Sequence, residues 1–207
     1  MKTKVYRLYP SSPDTKVLEK IAVALAEGAI MIYPTDTVYA LGCLSDNIQA
    51  LGKFERLRGI KVAKAPLSFL FSTLSDVTPY IRPFDSSVFR LLKRALPGPY
   101  AFIMTATTKL PKPFQKRKSI GVRISSHPIL QALLPHLSSP LITSSLHDQD
   151  AVKVYTSDPD EILAQWDGLV DLFIDAGPGG NIPSTVVDLT QTPYLLIREG
   201  KGSTDLL

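Results

Sequence analysis

An α/β fold, with a sheet covered by helices on both faces, is predicted by three features of this 207-residue sequence. Short apolar runs of strand length alternate with segments whose apolar residues recur at helical spacing. Two of those runs lead into clusters of small hydroxyl side chains, Thr35-Asp36-Thr37 and Thr143-Ser144-Ser145, and open α/β sheets place ligands at such strand ends. Hydrophobic residues make up 44% of the chain and charged residues 20%, which supports a sizeable core and excludes wholesale disorder.

The elements follow in order. Residues 4–9 alternate as a short first strand, and Ser12-Pro13 has the form of a helix start. Val17, Leu18, Ile21, Ala22 and Leu25 make one apolar stripe, closed by Gly28. Ala29 to Tyr33 is a buried strand ended by Pro34, which cannot donate to a sheet ladder. Thr35, Asp36 and Thr37 then read either as an ordinary turn or as the polar end of a ligand site. A helix is predicted over 47–57, with Ile48, Leu51 and Phe54 inward, and Leu67 to Phe71 is the next strand. Between them lie Lys53, Arg56, Arg58, Lys61 and Lys64, with Glu55 the only acid. This cluster fits a solvated helix end and a phosphate cradle equally well.

Residues 85–96 form an amphipathic helix with Val88, Phe89, Leu91, Leu92 and Ala95 inward, stopped by Pro97-Gly98-Pro99. Tyr100 to Thr107 is a buried strand. Lys109, Lys112, Lys116, Arg117 and Lys118 read as mostly solvated loop cations. Arg123 differs, because it lies in the apolar run Ile120 to Ile124 and needs an anionic partner there, either a structural carboxylate or a substrate carboxylate. Ser126-His127-Pro128 opens a helix through Leu137, and Leu141-Ile142 leads into the second hydroxyl cluster. His147-Asp148 is an unpromising catalytic pair, since adjacent side chains seldom meet. Asp158-Pro159-Asp160-Glu161 starts a helix that runs to about Trp166, and Leu172 to Ile174 is a buried strand. Gly177-Pro178-Gly179-Gly180-Asn181 lacks the lysine of a phosphate loop and reads as a turn. The last strands are Ser184 to Asp188 and Tyr194 to Arg198, and Arg198-Glu199-Gly200 closes the ordered chain.

A single domain over residues 1–207, with its core over 14–200, is expected. The formal charge of +4 favours anionic partners such as nucleotides or RNA without deciding between them. Cys43 is the one cysteine, which excludes an internal disulfide and reads as a buried structural thiol. The basic start has no apolar stretch of signal-peptide form, and no apolar run approaches the ~18 residues that span a bilayer. A cytoplasmic protein without a membrane partner is expected.

Pro34 to Gly42, Pro-Thr-Asp-Thr-Val-Tyr-Ala-Leu-Gly, resembles the signature Pro-Thr-Glu-Thr-Val-Tyr-Gly-Leu-Gly of the YrdC/YciO family of YrdC-like domains. The resemblance continues through Lys64 to Leu67, Leu96 to Tyr100, Val122 to Ser125, Thr143-Ser144, Pro183 to Asp188 and Ile197 to Gly200. It implies a twisted, mostly open, mixed sheet with helices on both faces and a large basic concave cavity. It also implies synthesis of threonylcarbamoyl-adenylate from L-threonine, bicarbonate and ATP for the t⁶A modification of tRNA. ATP would be a substrate carrying Mg²⁺, with no organic cofactor and no metal held by protein ligands. By position, Thr37 resembles the threonine-orienting hydroxyl, supported by Thr35, and Arg123 the clamp on the threonine carboxylate. Arg58 and Lys64 resemble catalytic phosphate contacts, with Arg56 beside them, and Ser144, Ser184 and Arg198 resemble the nucleotide pocket. Some members also bind tRNA or double-stranded RNA, and a monomer or dimer is expected.

Three positions depart from the synthase pattern. Arg56 replaces a lysine, Leu146 replaces an asparagine and offers neither donor nor acceptor, and Ala40 replaces a glycine. With the short chain, they resemble the YciO branch, which implies weak synthesis or hydrolysis of the same adenylate. A purely RNA-binding module is the third reading, resting on the basic loops.

Overall fold

The computed structural model describes residues 2–146 and 155–207. Its elements are β1 Lys4–Arg7, α1 Thr15–Ala26, β2 Met31–Tyr33, β3 Ala40–Leu44, α2 Ile48–Arg58, β4 Ser68–Leu70, α3 Leu74–Val77 and α4 Ser86–Ala95. They continue with β5 Tyr100–Thr105, β6 Ser119–Arg123, α5 Pro128–Leu133, β7 Leu141–Ser145, α6 Pro159–Trp166, β8 Leu172–Asp175, β9 Thr185–Asp188 and β10 Leu195–Arg198. The strands form one open, mixed sheet in the order β1-β8-β2-β3-β7-β4-β6-β5-β9-β10. The pairs β1–β8, β2–β8, β4–β6 and β5–β9 are parallel, and the remaining neighbours antiparallel.

Side chains alternate across a strand, so each central strand feeds two cores. Ile32, Leu41, Cys43, Ile142 and Phe173 join α2, α4 and α6 on one face. Met31, Tyr33, Ala40, Leu44, Leu141, Leu172 and Ile174 join α1 and α5 on the other. The first core runs on across Phe69, Val122, Phe102 and Val187, so that face is covered from β8 to β9. The second stops at Leu70. Helices therefore lie on both faces, but on one face they leave the sheet from β4 to β9 bare. Among the described residues, no helix is long and apolar enough to cross a membrane.

Several boundaries differ from expectation for local reasons. Helix α1 is capped by Asp14 rather than Ser12, because the Asp14 carboxylate accepts from the amides of Lys16 and Val17 at 2.9 and 3.3 Å. Ile48 and Phe89 lie outside the buried stripes of α2 and α4 and are 70% and 47% exposed. The helix after His127 ends at Leu133 and continues as a 3₁₀ turn over Leu134–His136, since Pro135 has no amide for an α-helical bond. The chain does not end its order at Gly200: a 3₁₀ turn spans Thr204–Leu206, and the Tyr100 hydroxyl donates to the Ser203 carbonyl at 2.9 Å. Cys43 is buried as expected, and burial pushes its thiol pKa well up, so it is inert. His147 and Asp148 lie outside the described residues.

Candidate functional site

The bare half of the sheet is the floor of a cavity of about 600 Å³. Ser68, Gly121, Ala101, Ile103 and Val186 project from it, and Arg58, Arg117, Arg123 and Arg198 stand around it. Small residues keep the floor low: a Cβ on Gly121 would sit 2.6 Å from the Ser68 hydroxyl. Among the described lining residues there is no carboxylate.

One end of the cavity is set by the segment between β2 and β3. Thr35 Oγ1 donates to the Val38 carbonyl at 2.7 Å, which commits its single proton. At the 3.0 Å contact with Thr37 Oγ1, Thr37 must then donate. The lone pairs of Thr37 are left to accept, and Nη2 of Arg123 donates to them from 3.3 Å. Ser184 Oγ lies 3.4 Å from the same oxygen. The hydroxyls at the strand ends are therefore polarised in one direction by their own bonding.

Arg123 is 5% exposed and has a structural partner, Asp36, at 3.1 Å from its Nη2. Asp36 is further held by the amide and hydroxyl of Ser126 at 3.0 and 3.3 Å. The pair is desolvated and multiply bonded, so it fixes the signature segment to the end of β6. Nε of Arg123 is buried without a partner among the described residues, as is Nδ1 of His127 beside it. Burial lowers the His127 pKa, and the charge of Asp36 opposes that shift.

The segment is buttressed from behind. Tyr39 stacks on Phe173 with ring centroids 5.9 Å apart, and its hydroxyl donates to the Gly177 carbonyl at 2.8 Å. Burial raises the Tyr39 pKa to about 12. The glycine loop expected as a turn packs directly on this segment: a Cβ on Gly180 would meet the Thr37 carbonyl at 2.1 Å. Lys201 Nζ donates to the Asp36 carbonyl at 2.6 Å from the other side. Arg198 donates through Nε and Nη2 to the Ser184 carbonyl at 3.2 and 2.8 Å, tying β10 to the hydroxyl that faces Thr37.

Of the residues singled out from the sequence, Arg58, Arg123, Ser144, Ser184 and Arg198 line this cavity. Thr35 and Thr37 are joined to it through Arg123 and Ser184. Arg56 and Lys64 are not among the described lining residues, and both are exposed. Arg56 instead borders a separate groove with Ile48, Gln49 and Gly52. The reason is helical spacing: Arg58 is four residues from buried Phe54 and shares its side of α2, whereas Arg56 is two residues away and points outward. Leu146 is 6% exposed and packs into the first core, so its side chain is not at the cavity.

Sequence reasoning passed over Arg117, Lys201, and the partnership of Asp36 with Arg123. Asp36 between two threonines, with a lone arginine in a distant apolar strand, was the available signal for that pair. Nothing in the run Lys116-Arg117-Lys118 sets the middle cation apart.

Comparison with known proteins places this architecture. A family model described as telomere recombination, Sua5/YciO/YrdC, matches residues 23–200. An uncharacterized protein of Haemophilus influenzae is 34% identical over 98% of each chain. A threonylcarbamoyl-AMP synthase of Bos taurus is 33% identical over 85% of this chain and 64% of its own. The crystal structure of Escherichia coli YciO superimposes with a TM-score of 0.88 at 32% identity, covering 99% of this chain and 98% of that one. A Sua5 structure from P. abyssi, complexed with L-threonine, has a TM-score of 0.81 at 23% identity, covering 96% of this chain and 58% of that one.

Proposed function

The chain belongs to the Sua5/YciO/YrdC family, and from that premise we propose that its cavity binds L-threonine and ATP and forms threonylcarbamoyl-adenylate with release of pyrophosphate. The observation that carries this reading is the convergence of Thr37, Arg123 and Ser184 at one end of a cavity that also presents Arg58 and Arg198. The similarity to a named synthase and the fold shared with a threonine-bound Sua5 support it.

The chemistry asks little of the protein beyond placement and charge. The ammonium of threonine first gives up a proton to solvent, and the neutral amine then takes up the carbon of bicarbonate, with loss of water, to give a carbamate. A carbamate oxygen then attacks the α-phosphorus of ATP, and the bond to the β-phosphate oxygen breaks. No enzyme nucleophile is needed, so rate comes from positioning and from neutralising phosphate charge. Arg123 receives the threonine carboxylate on the edge that Asp36 leaves open. Thr37, with its proton committed to Thr35, accepts from the threonine amine. The 3.4 Å contact to Ser184 is the longest that Thr37 makes and the one an amine displaces. Mg²⁺ enters with the nucleotide as substrate, because arginines and hydroxyls suit phosphate oxygens rather than a bare cation.

Hydrolysis of the same adenylate is a second reading, favoured by the outward-facing Arg56 and the core position of Leu146. Water would then attack the α-phosphorus, expelling the carbamate and leaving AMP. Purified protein is incubated with ATP, L-threonine, bicarbonate and Mg²⁺, and in parallel with preformed adenylate, and products are followed by mass spectrometry. The adenylate and pyrophosphate are expected in the first reaction. Conversion to AMP in the second with nothing formed in the first would replace synthase by hydrolase, and silence in both would overturn the enzymatic reading. Arg123→Ala is expected to lower kcat/KM for threonine on the order of a hundredfold. Binding of tRNA or double-stranded RNA, if carried by exposed Lys109, Lys112, Lys116 and Lys118, is expected to survive that substitution.

A further inference from the structure

Of the four arginines around the cavity, one has a carboxylate partner among the described residues, and Arg198 and Arg117 bond backbone carbonyls. Arg123 is paired with Asp36, and Arg198 has two nitrogens on the Ser184 carbonyl. Arg58 and Arg117 have no carboxylate partner among the described residues. Burial lowers the pKa of both, with no opposing negative charge. They are also neighbours through one loop: Arg58 is the last residue of α2, and Arg117 grips the segment that follows it.

The setting of Arg117 separates it from the lysines around it. Lys112, Lys116 and Lys118 are exposed. Nη2 of Arg117 donates to the carbonyls of Val62 and Ala65, and its guanidinium lies 5.6 Å from the Phe114 ring centroid. Nε is buried without a partner among the described residues. A guanidinium fixed by two neutral carbonyls and a ring keeps its full charge and loses little freedom on binding. Two uncompensated cations at one loop suit an anion of two or more charges better than a single carboxylate.

We propose that Arg117 is the second polyphosphate-binding cation of the cavity, acting with Arg58 on the pyrophosphate portion of the nucleotide, where the outward-facing Arg56 contributes nothing. The proposal rests on the reading that this cavity takes ATP, and it adds a ligand-binding role to a residue otherwise explained as a tie to the loop before β4.

The test is calorimetric titration of the full chain with inorganic pyrophosphate and, separately, with AMP. Arg117→Ala is expected to weaken pyrophosphate by at least about tenfold and AMP by less than about twofold. Arg117→Lys keeps the charge but loses the fork, and is expected to recover much of the pyrophosphate affinity. Arg56→Ala is expected to change neither. Failure of the wild-type chain to bind pyrophosphate, equal loss of both ligands in Arg117→Ala, or an Arg117→Lys variant as defective as alanine with the same fall in Tm would each overturn the proposal. The synthase assay on the same preparation separates the two readings. Arg117-dependent pyrophosphate binding without adenylate formation sinks the synthase reading alone. Adenylate formation indifferent to Arg117 sinks this one alone.

Discussion

Tyr33 holds a hydroxyl in a fully buried position and satisfies it with one bond, to Thr143 Oγ1 at 2.7 Å. The approach depends on Gly42, where a Cβ would lie 2.9 Å from the Tyr33 ring and 2.6 Å from the Ile142 carbonyl. Burial raises the Tyr33 pKa to about 12, only partly offset by the bond to Thr143. The neutral phenol is therefore favoured in the folded state. Its contribution to stability is complete below the unfolded pKa of about 10 and is lost as pH rises through 12. Urea unfolding of wild type and Tyr33→Phe across that window is expected to converge with rising pH, the variant having the flatter profile. Parallel profiles would show that Tyr33 ionises as freely folded as unfolded. At neutral pH the substitution is expected to cost about 1–2 kcal/mol, because Thr143 loses its donor.

At the scale of elements, the glycine loop before β9 acts on the site through backbone contact. Gly180→Ala would drive a Cβ into the Thr37 carbonyl, whereas Arg58 stands on α2 and the guanidinium of Arg117 is held by the loop before β4. Threonine affinity is expected to fall at least about tenfold and pyrophosphate affinity by less than about twofold, read by calorimetry on the same protein. Equal losses would mean that the substitution disturbs the whole sheet. How far these elements were readable in the sequence depended on contrast. Helices α1, α2, α4 and α6 have stripes and caps, and were found to within a few residues. Strand β3 has no contrast, since Ala40 to Leu44 is buried on both faces and interrupted by Gly42, and it was missed. Helix α3 has four residues, too few for a periodicity. The roles of the cavity residues were named from a resemblance, although Arg123, the two hydroxyl clusters and the cations around Arg58 stood out in the sequence itself. Helical spacing alone would have separated Arg58 from Arg56, because residues two apart on a helix cannot face the same ligand. The bare half of the sheet was unreadable, since it is a property of where helices are not.

For the whole molecule, the site lies where segments distant in sequence meet. Thr37 bonds Arg123 from 86 residues away and Ser184 from 147 residues away. A ligand that bridges them stabilises every strand between them, by about 2.7 kcal/mol at a hundredfold excess over Kd. In a chain of this size that corresponds to a rise in Tm of about 5–10 °C. ATP and L-threonine together are expected to give such a shift in a thermal melt, and Arg123→Ala to give little of it. No shift at saturating ligand would mean that the cavity does not hold them.

The sheet order carries one more consequence, for a chain emerging from a ribosome. The signature segment is made within the first fifth of the sequence, but β2 lies beside β8, and Thr37 faces a serine that precedes β9. Loop closure over that distance cannot begin until the partners exist. A nascent chain thus carries β1 without a lateral neighbour, and β2 and β3 paired only with each other, until β7 and β8 have been made. The pocket comes into being only once Ser184 and β9 have been made, so ligand binding there reports that translation has passed them.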